Sequence, residues 1–332
     1  MSRTDLHRTT VSKSRKDTVL ERVLSAAHTT GWGRMHRMST PKVRAHLGRL
    51  PWPLSRLAYG PERTDGVHIT PTTLEGRHGP IPARVYDASV HPRAPLVVFF
   101  HGGGFVAGDL DSHHHICVSL ARRAQAVLVA VDYRRAPEHR YPVAVHDAVD
   151  ATRQLAERAL DLGANPDRLT LCGDSAGGNL SAAAALMIRD EGKGPGIARI
   201  LLAYPGTDAA MRGPSHAAHA DAALLCAEDV RHFRDGYLGP ELSGQTPRYF
   251  SLVDVDDLQD LPPAIITVAG RDPLRDDGAT LARKLAAAGN DVEVVEYSRA
   301  IHGYWLLPGV SPAAVDTTAR FAKAILGHQV AG

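Results

Sequence analysis

The chain has only three cysteines, Cys117, Cys172 and Cys226, too few and too scattered for a disulfide framework. A disulfide-stapled secreted fold is therefore excluded, and a reducing, cytoplasmic setting is expected. An excess of charge of either sign is also missing: 38 Lys+Arg stand against 36 Asp+Glu, a formal net charge of +2. Nucleic-acid binding goes with clustered Lys and Arg, so no nucleic-acid partner is expected. No apolar run is long enough to cross a bilayer, and stable membrane insertion is not expected. Lys13, Arg15 and Lys16 are followed by no apolar segment of the kind a signal peptide carries. Internal repeats and long low-complexity stretches are lacking as well. What is present is a hydrophobic content of 44%, ample for a sizeable core.

Two glycine-rich segments carry most of the functional signal. The first, Gly173-Asp174-Ser175-Ala176-Gly177, fits Gly-x-Ser-x-Gly, in which a serine sits on a sharp turn between a strand and a helix. The apolar run 168–172 before it reads as a strand, after the turn signal Asn165-Pro166-Asp167. The alanine-rich stretch 179–189 after it reads as a helix. The glycines permit backbone angles and close approaches that a side chain would resist. Ser175 then lies at a helix N-terminus, whose positive end favours developing negative charge. The second segment, His101-Gly102-Gly103-Gly104, follows the continuous apolar run 94–100, which suits a strand buried on both faces. Bare backbone N–H groups at such a strand end can stabilise the oxyanion of an acyl-transfer intermediate. His101 reads as a brace for this loop rather than as a base.

Together these segments resemble the hormone-sensitive-lipase-like branch of the α/β-hydrolases, bacterial esterases with an HGGG loop and a GDSAGG elbow. Further matches follow in order, at Gly108–His113, Asp132–His139, Gly270–Gly278 and Ile301–Tyr304, so the likeness spans roughly 95–305. Residues 1–60 carry no comparably specific match. The resemblance implies an α/β fold with a mostly parallel eight-stranded sheet, a helical cap, and no metal or organic cofactor. It also implies the rest of a catalytic triad in the chain order serine, acid, histidine. Asp272 follows the apolar, β-branched run 264–269 and is the preferred acid, with Asp276 and Asp277 as nearby alternatives that read better as a helix start. His302 stands in a loop after the strand-like 291–297 and is the expected base, whereas His328 lies in a polar tail. Gly103 and Gly104 are carried over from the family as oxyanion donors, Ala176 follows from the elbow geometry, and Gly102 is left open as a third glycine. His113-His114-His115 could suggest a metal. Consecutive helical residues point apart, however, and the run reads as the start of a helix through 116–122.

The remaining organisation alternates strand and helix. Strands are read at Val67–Thr70, Ile81–Tyr86, Leu96–Phe100, Ala126–Val131, Leu169–Cys172, Ile200–Tyr204, Ala264–Ala269 and Val292–Tyr297, with helices at 142–160, 176–190, 276–288 and 311–326. Such alternation means a mostly parallel sheet with right-handed crossovers, and the first two strands, with no helix between them, can pair as an antiparallel edge. Two parts break the rhythm. Residues 1–60 hold an amphipathic pattern at 17–27, then Trp32, Met35, Met38 and Trp52, and 207–250 is too long for a bare loop. They are expected to form a two-part cap over a core of 61–206 and 251–332. The function expected is a serine carboxylesterase acting on short-chain esters, with a small-molecule ester as partner and a homodimer left open. A deacetylase, lactonase or thioesterase would use the same triad, and a non-catalytic hydrolase-fold receptor is the rival from another class.

Overall fold

The computed structural model describes residues 34–48, 58–59 and 64–327. The pattern at 17–27, Trp32, Trp52 and His328 lie outside the described residues. All eight expected strands are present: β1 (His68–Gly76), β2 (Gly79–Asp87), β3 (Ala94–Phe100), β4 (Val127–Val131), β5 (Ala164–Asp174), β6 (Arg199–Ala203), β7 (Ala264–Arg271) and β8 (Val292–Ile301). They form one sheet in the order β1-β2-β4-β3-β5-β6-β7-β8. β1 pairs with β2, and β2 with β4, antiparallel, while every other pairing is parallel.

Among the described residues the longer helices are α1 (Thr40–Gly48), α2 (His114–Ala124), α3 (Val143–Glu157), α4 (Ala176–Asp190), α5 (Ser215–Ala218), α6 (Ala227–Leu238), α7 (Arg275–Ala287) and α8 (Pro312–Leu326). They cover both faces of the sheet, which explains why β3 and β4 are apolar throughout rather than alternating. Along β3, Leu96, Val98 and Phe100 enter the core under α3, α4 and α7. Val97 and Phe99 enter the core under α2 and α8, where Leu120 and Phe321 meet them. One short run thus feeds two cores with period-two alternation.

β5 begins earlier than its apolar run suggests. Pro95 pairs with Asn165 and Leu96 with Leu169, so residues 166–168 form an irregularity within the strand. Pro166 lacks the N–H a ladder needs, and the Asp167 N–H donates to Asn165 Oδ1 at 3.1 Å, so the turn signal and the strand coexist. Tyr204, assigned to β6 from the sequence, lies just past its end with φ 38°.

Candidate active site

The elbow joins β5 to α4. Ser175 has φ 52° and ψ −117°, a conformation rare for a residue with a side chain. Its N–H donates to the Ala203 carbonyl at 2.8 Å, tying the turn to β6. Gly177 must be glycine, because a β-carbon there would fall on the Phe100 carbonyl. At Gly173 a β-carbon would lie 2.6 Å from the same oxygen, so helix α4 can rise directly against the end of β3.

The three residues expected as a triad meet although they come from the ends of three strands. His302 Nδ1 lies 2.7 Å from Asp272 Oδ2, and His302 Nε2 lies 2.9 Å from Ser175 Oγ. A carboxylate only accepts, so Nδ1 carries the hydrogen and the Nε2 lone pair faces the serine hydroxyl. Asp272 is fully buried, and its other oxygen accepts from the Leu274 N–H at 2.8 Å. The His302 ring stands edge-on to Tyr204, with centroids 4.9 Å apart. Asp276 and Asp277 do not reach His302. Asp276 accepts from the Ser215 N–H, while Asp277 accepts from the Thr207 and Asp208 N–H groups and meets His216 Nε2 at 2.8 Å. Burial raises the Asp277 pKa, with His216 opposing. These two carboxylates anchor the 207–250 excursion to the N-terminus of α7.

Three of the four backbone donors considered for the oxyanion differ from the fourth. Among the described residues nothing accepts from the N–H of Gly103, Gly104 or Ala176, and all three residues line the same cavity as Ser175. The Gly102 N–H is already engaged, donating to Asp174 Oδ1 at 2.9 Å. His101 braces the loop: its Nδ1–H donates to the Gly102 carbonyl at 2.8 Å, its ring lies flat against Tyr133, and burial lowers its pKa. The histidine run diverges as expected of the start of a helix. His113 turns to Asp174, His114 lies 3.0 Å from the Tyr86 hydroxyl, and His115 stacks on Tyr59 with its pKa pushed down by burial to about 3.

The cavity above Ser175 has a volume of about 180 Å³. Its walls are mostly apolar, with Met35, Leu225, Phe233, Phe250, Leu274 and Leu306 among them. Met35 and Phe233 come from the two parts expected to form the cap. Met38 instead packs half-buried against the core. Phe233, on α6, sits on the Gly104 backbone: a β-carbon there would lie 2.7 Å from its Cδ2. Arg44, on α1, donates to the Val106 and Ala136 carbonyls at 2.9 and 3.0 Å and pairs with Glu138. No motif pointed to Phe233 or Arg44, since neither stands in a segment with a recognisable pattern.

One group of metal-competent donors lies elsewhere. His36, Cys226 and Asp229 hold theirs within 4.8 Å of one another. Those donors already satisfy each other: Asp229 accepts from the His36 and Cys226 N–H groups and meets His36 Nδ1 at 2.8 Å. The Cys226 sulfur caps the N-terminus of α6. The group thus joins the two wall segments. No helix among the described residues is long and apolar enough to cross a membrane.

A mostly parallel eight-stranded sheet, with a serine, a histidine and an aspartate hydrogen-bonded at its strand ends, defines the class: an α/β-hydrolase. The profile of the α/β-hydrolase fold family matches residues 97–306. The chain is 44% identical to the esterase LipI of Mycobacterium tuberculosis over 257 residues, 76% of this chain and 80% of that one. It is 32% identical to the ethyl acetate hydrolase of Pseudomonas putida over 77% of this chain and 81% of that one. A hyperthermophilic esterase from Pyrobaculum calidifontis superposes with a TM-score of 0.86 at 32% identity, covering 96% of this chain and 99% of that one. The chain therefore belongs to the hormone-sensitive-lipase-like esterases of the α/β-hydrolase family, and it is a carboxylic ester hydrolase.

Proposed function

We propose that the protein is a serine carboxylesterase in which Ser175 attacks the carbonyl of a short-chain ester and His302 takes its proton. Asp272 holds His302 in the required tautomer and balances its charge once protonated. The N–H groups of Gly103, Gly104 and Ala176 receive the oxyanion, each donor of this kind being worth about 3–4 kcal/mol where one has been removed. His302 then protonates the leaving alcohol, and water hydrolyses the acyl-enzyme by the same path in reverse. Neither metal nor organic cofactor has a part in this scheme. The observation that carries the reading is the unbroken hydrogen-bonded line from Asp272 through His302 to Ser175. Residues 34–48 and 207–250 act as a two-part cap whose apolar side chains seat the acyl group and the alcohol. The small, mostly apolar cavity and the relative named as an ethyl acetate hydrolase support short chains. Three buried, unpaired cysteines suit a reducing cytoplasm, and the near balance of charge argues against a nucleic-acid partner. The test is Ser175→Ala. Hydrolysis of p-nitrophenyl acetate should fall by on the order of a million-fold, and a fluorophosphonate should no longer label the protein. An alanine variant that keeps a few per cent of the activity would overturn the assignment.

A further inference from the structure

Asp174 precedes the nucleophile, and the scheme above gives it no task. It is nevertheless buried, with 2% of its surface exposed. Its Oδ1 accepts from the Gly102 N–H at 2.9 Å and lies 3.1 Å from His113 Nε2, while Oδ2 stands 3.5 Å from the Tyr204 hydroxyl. His113 is equally buried, and its other ring nitrogen lies 2.9 Å from Ser112 Oγ. Ser112 Oγ in turn accepts from the Asp109 N–H, and its single hydrogen faces both the Asp109 carbonyl and His113 Nδ1. A carboxylate only accepts, so His113 Nε2 carries its hydrogen toward Asp174. That nitrogen is also 3.3 Å from the Gly102 N–H, but a nitrogen that donates cannot accept there, so Gly102 donates to the carboxylate. The packing is close: a β-carbon on Gly102 would lie 2.5 Å from Asp174 Oδ2.

Burial alone would raise the pKa of Asp174. His113 and the Gly102 N–H outweigh it and hold the carboxyl below its usual range, so the group is a carboxylate that needs these partners. The partners come from three separate places: Gly102 from the loop after β3, His113 from the start of α2, and Asp174 from the end of β5. The elbow and the oxyanion loop are therefore clamped together immediately beneath Ser175.

We propose that Asp174 and His113 are positioning residues for ester hydrolysis, which draw the Gly102 N–H away from the reacting centre and so leave the Gly103 and Gly104 N–H groups as the loop's oxyanion donors. The proposal rests on the assignment of Ser175 as nucleophile. It separates the duties of three adjacent glycines: one anchors and two bind. It also assigns a task to a buried side chain at the cavity floor that hydrogen-bonds to neither Ser175 nor His302. Loss of the clamp lets the loop drift, and a donor misplaced by a fraction of an ångström loses part of what its complete removal would cost, about 100- to 1,000-fold.

The experiment compares Asp174→Asn, Asp174→Ala, His113→Gln and His113→Ala with the wild type on p-nitrophenyl acetate. Each variant is checked by thermal melting and by fluorophosphonate labelling. The expected result is a fall in kcat of about 10- to 100-fold with KM within about three-fold, the signature of an interaction that matters in the transition state. Affinity for a trifluoromethyl ketone, which forms an oxyanion adduct on Ser175, should fall by the same factor. Asparagine still offers an acceptor to Gly102 and glutamine a donor to Asp174, so each should recover a substantial part of what its alanine variant loses. Folded variants with unchanged kcat, a loss confined to KM, or unchanged trifluoromethyl ketone affinity would overturn the proposal, as would conservative variants no better than alanine. If the Asp174 variants do not fold, the His113 pair decides alone. Labelling of Ser175 separates the two readings: if the wild type is not labelled, the nucleophile assignment fails, and if it is labelled while the variants behave as wild type, only the clamp fails.

Discussion

Replacing Gly104 by alanine tests whether the cap wall and the oxyanion loop press on each other. Gly104 has φ 62°, in the left-handed region, where alanine is strained by about 1–2 kcal/mol. The new β-carbon would lie 2.7 Å from Phe233 Cδ2 and 2.8 Å from Phe233 Cβ. Carbon atoms rest about 3.5–4.0 Å apart, so either the ring retreats by about 1 Å or the loop does. Phe233 is only 6% exposed and lines the pocket wall, so the loop, with its N–H donor, takes much of the shift. The expected loss in kcat/KM on p-nitrophenyl butyrate is about 100-fold, bounded by the 100- to 1,000-fold lost with a whole oxyanion donor. Phe233→Ala removes the obstacle. In that background Gly104→Ala should cost only about ten-fold, the part due to backbone strain. The four proteins form a double-mutant cycle with a coupling on the order of 1–2 kcal/mol, within the range for residues in contact. Thermal melting of each variant checks that the comparison is between folded proteins, since Phe233→Ala also leaves a buried gap. If Gly104→Ala costs the same factor in both backgrounds, the ring does not hold the loop and the reasoning is wrong.

Three other outcomes follow from the same contacts. Arg44→Ala removes two hydrogen bonds to backbone carbonyls of the loops around the site, worth together about 1–3 kcal/mol, and should raise KM several-fold while lowering the melting temperature by a few degrees; an unaltered KM would show that α1 is not held through this side chain. Cys117 and Cys172 are fully buried, and burial pushes both thiols far above their ordinary range. Native protein should therefore give at most one equivalent of thiol, from Cys226, with a chromogenic disulfide reagent, and all three only when unfolded; rapid native reaction of two or three would contradict the packing. Asp150 is the acid-sensitive test. Burial would raise its pKa, but the Arg77 side chain and N–H outweigh that and hold it below its unfolded value of about 3.9. Its contribution is thus complete above about pH 4 and lost as the pH falls further, so the melting-temperature gap to Asp150→Asn should shrink from pH 7 to pH 3, and a constant gap would refute the assignment.

Much of this molecule could be read from its residues because burial on both faces writes strands as unbroken apolar runs. The runs at 94–100 and 127–131 are such cases, and the helices between later strands fall within a few residues of the spacing read for them. Strand ends were less legible. β5 starts at Ala164 because a strand can absorb Pro166 in an irregularity, and β8 runs on to Ile301 past its apolar run. Ser175 and His302 stood in recognisable loops, and Asp272 had competitors only four and five residues away. What separates Asp272 from Asp276 and Asp277 is spatial: the latter two face the 207–250 excursion. The pocket walls were illegible. Phe233 and Arg44 act across separations of about a hundred residues, and no local pattern marks a side chain whose partner is a distant backbone. The state of Gly102 was equally hidden, since it depends on where the carboxylate of Asp174 points.

The 207–250 excursion leaves the sheet after β6 and returns before β7, and its first residues are gripped by Asp276 and Asp277 rather than by the reacting groups. It is spliced in at a single point, between two neighbouring strands whose pairing it does not enter. Such a segment can lengthen, shorten or change its apolar lining over generations while the register that brings Ser175, Asp272 and His302 together is inherited intact. Under the function proposed, the side chains that line the cavity and the residues that react are thereby placed on separate stretches of the same gene.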